Sequence, residues 1–237
     1  VRNFLVPLVG GFIIVAGLFA LGVRDQLGLL GFGLSSFVGA TILYEWFRGV
    51  RARHRNRKEN YLQAFLSLLN SNHSRYGGYI VHLGVVLLAI SIVGSAFFIK
   101  EEEAVMAPGQ ETAIGNYTLR FEGLNTYATG SRQVTSASLS IFNSGKLVDT
   151  MFPEKFTHRK HESPVTEVAI RTTPLEDLYV ILAAWEADGT AAFRFIVNPL
   201  MVWMWVGGTV MVLGSIFAFW PDRRERALLV RARGEED

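Results

Sequence analysis

The chain has 237 residues, half of them hydrophobic and 19% charged, with 23 Lys and Arg against 21 Asp and Glu for a formal charge of +2. The apolar residues are gathered into blocks and the basic ones sit beside those blocks, a pattern that argues against a soluble enzyme and makes lipid headgroups, not nucleic acid, the partner of the positive charge. Cysteine is absent, so neither a disulfide nor thiol chemistry is available.

Four apolar blocks, residues 4 to 23, 27 to 47, 76 to 99 and 199 to 220, each reach the roughly 20 residues that cross about 30 Å of hydrocarbon. They predict an integral membrane protein with four all-α transmembrane spans and one extracytoplasmic antiparallel β domain between spans three and four. The first two spans, within residues 1 to 47, form a hairpin, because only Arg24, Asp25 and Gln26 separate them. This spacing also argues against a cleaved signal peptide. Val1 is not methionine, which leaves open an unusual start codon or a piece of a longer protein. In span two, Gly31, Ser35 and Gly39 form a small-residue strip that reads as intramolecular packing in preference to a dimer seam. Glu45, between Tyr44 and Trp46, reads as a snorkelling side chain with no chemical role.

Residues 48 to 75 predict a basic loop carrying Arg48, Arg51, Arg53, Arg55, Arg57 and Lys58, followed by an amphipathic surface helix in "YLQAFLSLLN". His54 and His73 read as ordinary solvated residues. The tail, residues 221 to 237, adds Arg223, Arg224, Arg226, Arg231 and Arg233. Under the positive-inside bias, the loop, the tail and both termini are cytoplasmic, and residues 100 to 197 lie outside, on the periplasmic side of an inner (plasma) membrane.

The third span, residues 76 to 99, is interrupted by His82. Counted from Arg75 it lies about 10 Å deep, too far for its short side chain to reach water. It therefore needs a partner: a backbone carbonyl or hydroxyl, a proton relay, or a metal or haem iron. The side chains on its face, among them Gly78, Val85 and Ala89, include no carboxylate to serve a relay. A flat macrocycle could instead lie against Gly78 and Val85 with His82 as axial ligand and Arg75 meeting a propionate.

Between spans three and four the pattern changes to period two. "VTSASLSIF" alternates Ala137, Leu139 and Ile141 with Ser136, Ser138 and Ser140, as a half-buried strand does, and the Gly-containing "NSG" turns it into "KLVDTMF". Further strands are predicted at 117 to 122, 166 to 172, 177 to 185 and 190 to 197, with Asp188-Gly189 as a second hairpin signal. About six short strands at this spacing suggest a small barrel or sandwich. Asn198-Pro199 reads as the cap and first turn of the fourth span, residues 198 to 220. "FPEKFTHRKHE" reads as a solvated loop; His158 and His161 are three apart, but Arg159 and Lys160 between them oppose a metal.

"RYGGYIVHLGVVLL", then "FPEK", "TEVAIRTTPLEDLYVIL" and "NPLMVWMWVGGTVMVLG" together resemble, in order, the C-terminal part of the cytochrome c biogenesis protein CcmF, the haem lyase component of the bacterial cytochrome c maturation system. The resemblance runs from about Arg75 to Trp220. It implies that His82 is one of two transmembrane histidines holding a permanent haem b. The companion histidine, a tryptophan-rich external segment and two external histidines lie N-terminal to the matched part in that family. The five tryptophans here, Trp46, Trp185, Trp203, Trp205 and Trp220, form no such cluster. The expectation is therefore a fragment or one subunit of a split protein, inactive alone, whose partner carries the missing segment and ligand.

By the same resemblance, the chemistry is thioether formation between haem vinyl groups and the CxxCH thiols of apocytochrome c. His82 then serves electron transfer toward the substrate haem, with quinol as an electron source, while the β domain holds the haem chaperone or apocytochrome c. The family usually continues "PEK" with Arg and an aromatic residue; here Phe156 follows. The alternative is a non-catalytic membrane scaffold whose β domain recruits those partners, with His82 merely hydrogen-bonded. A channel would show more polar positions within its spans, and "GLLGFG" lies inside a membrane helix and so is no phosphate loop.

Overall fold

The structure is a computed structural model that describes residues 2–130, 132–158 and 164–221. His161 and the arginines of the tail lie outside the described residues. The chain divides into two compact units, residues 1–93 with 203–237, and residues 94–202.

The first unit is helical. Helix α1 (Arg2–Ala20) contains Pro7, and its apolar stretch, Phe4–Ala20, is shorter than a span; α2 (Gln26–Arg57), α4 (His73–Phe98) and α5 (Val202–Phe219) are long and apolar enough to cross a membrane. Among the described residues three helices therefore meet the length and composition of a span, where the sequence predicts four.

Helix α2 starts at an Asp25 cap, whose carboxylate accepts from the Gly28 amide at 2.6 Å. It does not stop near residue 47. It runs 32 residues, about 48 Å at 1.5 Å per residue, well beyond the hydrocarbon thickness. The basic run predicted as a loop continues the helix because Arg and Ala are strong helix formers and cations suit its negative C-terminal end. Lys58, left-handed at φ 53°, ends it. Asn60 and Gln63 form a capping box that starts α3 (Tyr61–Ser71). Ala64 and Leu68 on α3 are buried, with Leu68 against Gly49 of α2, and Phe65 packs edge-on to Trp46.

The strip of Gly31, Ser35 and Gly39 packs inside the chain. A Cβ on Gly31 would meet Val93 at 2.6 Å, and one on Gly39 would meet Val86 at 3.5 Å. A second seam joins α4 to α5 in antiparallel fashion through glycines seven apart on each helix. Gly77 abuts Ala218, Gly84 abuts Gly207 and Met211, and Gly214 abuts Ile80 and Val81. The backbones approach as small residues permit. His73 closes one end of this seam: it is buried, donates from Nδ1 to the Trp220 carbonyl at 2.9 Å, and packs its ring 4.7 Å from Phe217. It is not a solvated residue.

The second unit is a two-sheet antiparallel sandwich. One sheet has the order β1-β10-β9-β8, built from β1 (Lys100–Met106), β8 (Ala169–Thr172), β9 (Glu176–Trp185) and β10 (Ala191–Pro199). The other has the order β2-β3-β4-β6-β7, with β5 also pairing β4. Its strands are β2 (Glu111–Ile114), β3 (Tyr117–Thr129), β4 (Arg132–Asn143), β5 (Lys146–Met151), β6 (Glu154–His158) and β7 (Val165–Glu167). The core lies between the sheets and includes Leu119, Phe121, Leu139, Ile141, Leu178, Val180, Phe193 and Phe195, with Phe121 edge-on to Phe193 at 5.0 Å. This is the alternating set that the period-two pattern predicts.

Four details differ from the sequence reading. The segment 166 to 172 is two strands, β7 and β8, in different sheets. Residues 154–158 of the predicted loop are a strand, since β6 pairs with β4 and sets His158 opposite Arg132. Strand β4 is not half-exposed: Ser136 and Ser140 are buried like Ala137 and Leu139, and Ser140 donates to Glu122 at 2.6 Å. Finally, Asn198 and Pro199 do not open the last helix but end β10, opposite Asp177 and Glu176. Leu200, at φ 60°, turns the chain before α5 begins at Val202.

The predicted hairpins are present. Ser144 and Gly145 have φ 50° and 77° between β4 and β5, as a two-residue primed turn requires.

Candidate functional site

Arg75, Gly78 and His82 lie on the same side of α4, three and four residues apart. His82 Nδ1 lies 2.7 Å from the Gly78 carbonyl oxygen. A carbonyl can only accept, so Nδ1 carries the proton and donates it. A neutral ring then keeps its lone pair on Nε2, the tautomer in which imidazole ligates a metal, with the other nitrogen oriented by a carbonyl. Among the described residues Nε2 has no hydrogen-bond partner.

The surroundings suit a flat apolar ligand. His82 is exposed on the helix surface and borders a recess of about 240 Å³ whose walls include Phe4, Phe37, Val38, Ile42 and Tyr79. The Thr41 hydroxyl in that wall donates to the Phe37 carbonyl at 2.8 Å. A Cβ built on Gly78 would meet no atom within 4 Å, so space is open beside the histidine. No cluster of three or more His, Cys, Asp or Glu side chains able to hold a metal ion occurs among the described residues. Any iron here would depend on the lone His82 nitrogen and on ligands from elsewhere. The donor set fits one axial position of a haem, not a protein-only metal centre.

Arg75 is not free to serve a propionate alone. Its guanidinium donates to the Tyr79 hydroxyl at 3.3 Å and lies 3.6 Å from Glu45, which also binds Arg48 at 2.9 Å. Glu45 thus bridges two arginines of α2 and α4 and is not a snorkelling bystander. The available signal was the i, i+3 pairing of Glu45 with Arg48; the contact with Arg75 has no local signature. His54 is likewise partnered, donating from Nδ1 to the Glu59 carbonyl at 2.6 Å and stacking on Tyr61 at 4.2 Å.

Residues 97–199 match the family of the CcmF C-terminal beta-sandwich. A cytochrome c-type biogenesis protein CcmF from Pseudomonas aeruginosa is 33% identical over 153 residues, 65% of this chain and 23% of that protein. Its counterpart from Haemophilus influenzae is 30% identical over 199 residues, 84% of this chain and 29% of that protein. The probable biogenesis protein NrfE of Escherichia coli is 27% identical over 145 residues, covering 61% and 26%. A solved structure of the cytochrome c haem lyase CcmF superposes with a TM-score of 0.73 at 25% identity, covering 93% of this chain and 35% of that one. The chain therefore spans less than a third of the length of the curated relatives it matches.

Proposed function

The chain resembles the C-terminal part of CcmF, with a role in cytochrome c biogenesis, and from that premise we propose that it supplies one axial ligand, His82, to a haem b held within the membrane. The assembled protein attaches haem covalently to apocytochrome c, and its remaining length carries the second histidine and the tryptophan-rich segment that handles the haem being delivered. The β domain lies on the periplasmic side and receives the haem chaperone or apocytochrome c, while both termini are cytoplasmic.

The observation that carries this reading is the hydrogen bond from His82 Nδ1 to the Gly78 carbonyl at 2.7 Å. It fixes the ring and leaves Nε2 as the nitrogen able to bind iron. Gly78 leaves room for the macrocycle, and the side chains from Phe37 to Tyr79 offer it an apolar wall. Arg75 shares its charge between Glu45 and an incoming propionate. When bound, the haem supplies one-electron chemistry whose potential depends on axial ligation and burial. Quinol is the proposed electron donor.

The test is a reduced-minus-oxidised spectrum of the assembled complex, wild type beside His82→Ala. Loss of a b-type signal from a folded variant is the expected result. An unchanged signal removes His82 from the site, and a colourless wild-type complex favours the scaffold reading.

A further inference from the structure

Helix α2 outlasts the hydrocarbon, and its last turns carry Arg51, Arg55 and Lys58 at spacings of four and three, on one face. At Lys58 the left-handed turn reverses the chain, and Tyr61, the first residue of α3, returns to stack on His54. The result is an open recess of about 410 Å³ lined by Arg51, His54, Arg55, Lys58 and Tyr61. It has no acidic wall. Two neighbouring arginines are already paired, Arg48 with Glu45 and Arg53 with Glu59 at 2.7 Å. Among the described residues Arg51, Arg55 and Lys58 form no ion pair, so three formal positive charges face one another unbalanced.

The same turn exposes grease beside the charge. Helix α3 buries Ala64 and Leu68 but leaves Leu62 66% and Leu66 50% exposed. A hydrophilic anion would match the recess alone; an anion that carries acyl chains would also cover these leucines. We propose that the α2–α3 turn binds an anionic phospholipid, with the phosphate held by Arg51, Arg55 and Lys58 and the chains laid along Leu62 and Leu66.

The test uses the full chain extracted from membranes and exchanged into mixed micelles containing equal phosphatidylglycerol and phosphatidylcholine, with retained lipid counted by native mass spectrometry. The wild type is expected to retain phosphatidylglycerol, and the variant Arg51→Gln/Arg55→Gln/Lys58→Gln to lose at least about tenfold of that retention. The charge-conserving Arg51→Lys/Arg55→Lys variant should keep most of it, which separates loss of charge from loss of fold. Leu62→Asn/Leu66→Asn should weaken retention while leaving binding of inorganic phosphate unchanged. Equal retention by the triple glutamine variant overturns the proposal. So does full displacement of the lipid by inorganic phosphate with no effect of the leucine variant, a result that assigns the recess to free phosphate.

Discussion

Gly84 on α4 and Gly207 on α5 face each other so closely that a Cβ on Gly84 would sit 2.7 Å from the Gly207 carbonyl oxygen, and a Cβ on Gly207 would sit 2.8 Å from that of Gly84. Both obstacles are backbone, so neither can swing aside. Gly84→Leu and Gly207→Leu should each push the helices apart and destabilise the helical unit by roughly 1–3 kcal/mol or more, as overpacking does. Gly208→Leu, where a Cβ would meet nothing within 4 Å, should change little. Thermal midpoints of the purified chain in detergent check the contrast; equal midpoints for Gly84→Leu and Gly208→Leu would refute the close seam.

Open space at Gly78 makes the opposite prediction. A Cβ at position 78 meets nothing within 4 Å, and Gly78→Leu replaces a poor helix former with a good one, so its thermal midpoint should match or exceed the wild type. On the proposed function, the same leucine fills room that the macrocycle needs, and the b-type signal of the assembled complex should fall. A full signal together with normal stability would move the haem away from this face.

The two arginines that share Glu45 should behave differently. Ion pairs this exposed contribute at most about 1 kcal/mol, so neither Arg48→Gln nor Arg75→Gln should unfold the chain. Only Arg75 lies on the helix of His82. Its loss should lower haem retention in the assembled complex, measured as haem per protein after dilution, while Arg48→Gln leaves it unchanged.

In the β domain, Asp177 is only 5% exposed and one carboxylate oxygen has no partner. Burial raises its pKa above the ordinary carboxylate value, and hydrogen bonds from Thr172 and Tyr179 only partly oppose this. The sign follows from proton counting: the folded state holds this proton more tightly than the unfolded state. The contribution of Asp177 to stability is therefore greatest below the unfolded value of about 3.9 and falls as pH rises through the folded pKa. Asp177→Asn removes the charge and keeps an acceptor oxygen. At neutral pH it should stabilise the chain by about 1 kcal/mol, a gain that disappears below about pH 4. Denaturation curves at the two pH values check it; destabilisation at neutral pH would mean that the ionised carboxylate is satisfied.

Much of this architecture is legible in the sequence because both solvents leave a period. Lipid selects long apolar runs, and residues 27 to 47 and 76 to 99 identify the start of α2 and both ends of α4 within a few positions. The sandwich core selects alternation, and Leu139, Ile141, Phe193 and Phe195 are buried as alternation predicts. Where the period gives no instruction, the reading fails. The basic end of α2 carries no apolar stripe, so only helix propensity marks it. Strand β1, rich in glutamate, exposes most of its length and lacks the hydrophobic alternation that would announce it.

Within the site, His82 announces itself by being polar in a greasy run. The roles of Glu45, His54 and His73 depend on partners that the fold brings together, Arg75, Tyr61 and Trp220. A one-dimensional pattern reports burial well and partnership poorly, because any of several residues could have supplied the second half of each contact.

The oxygen that steadies His82 belongs to the peptide bond after Gly78. Any residue placed at 78 would present the same oxygen to the ring for as long as the helix holds. Genetic change can fill the cleft alongside or delete the imidazole, but it cannot readily delete the strut. Tilt and tautomer of the ring are inherited from helical geometry, and they persist through a wide range of replacements in the surrounding wall.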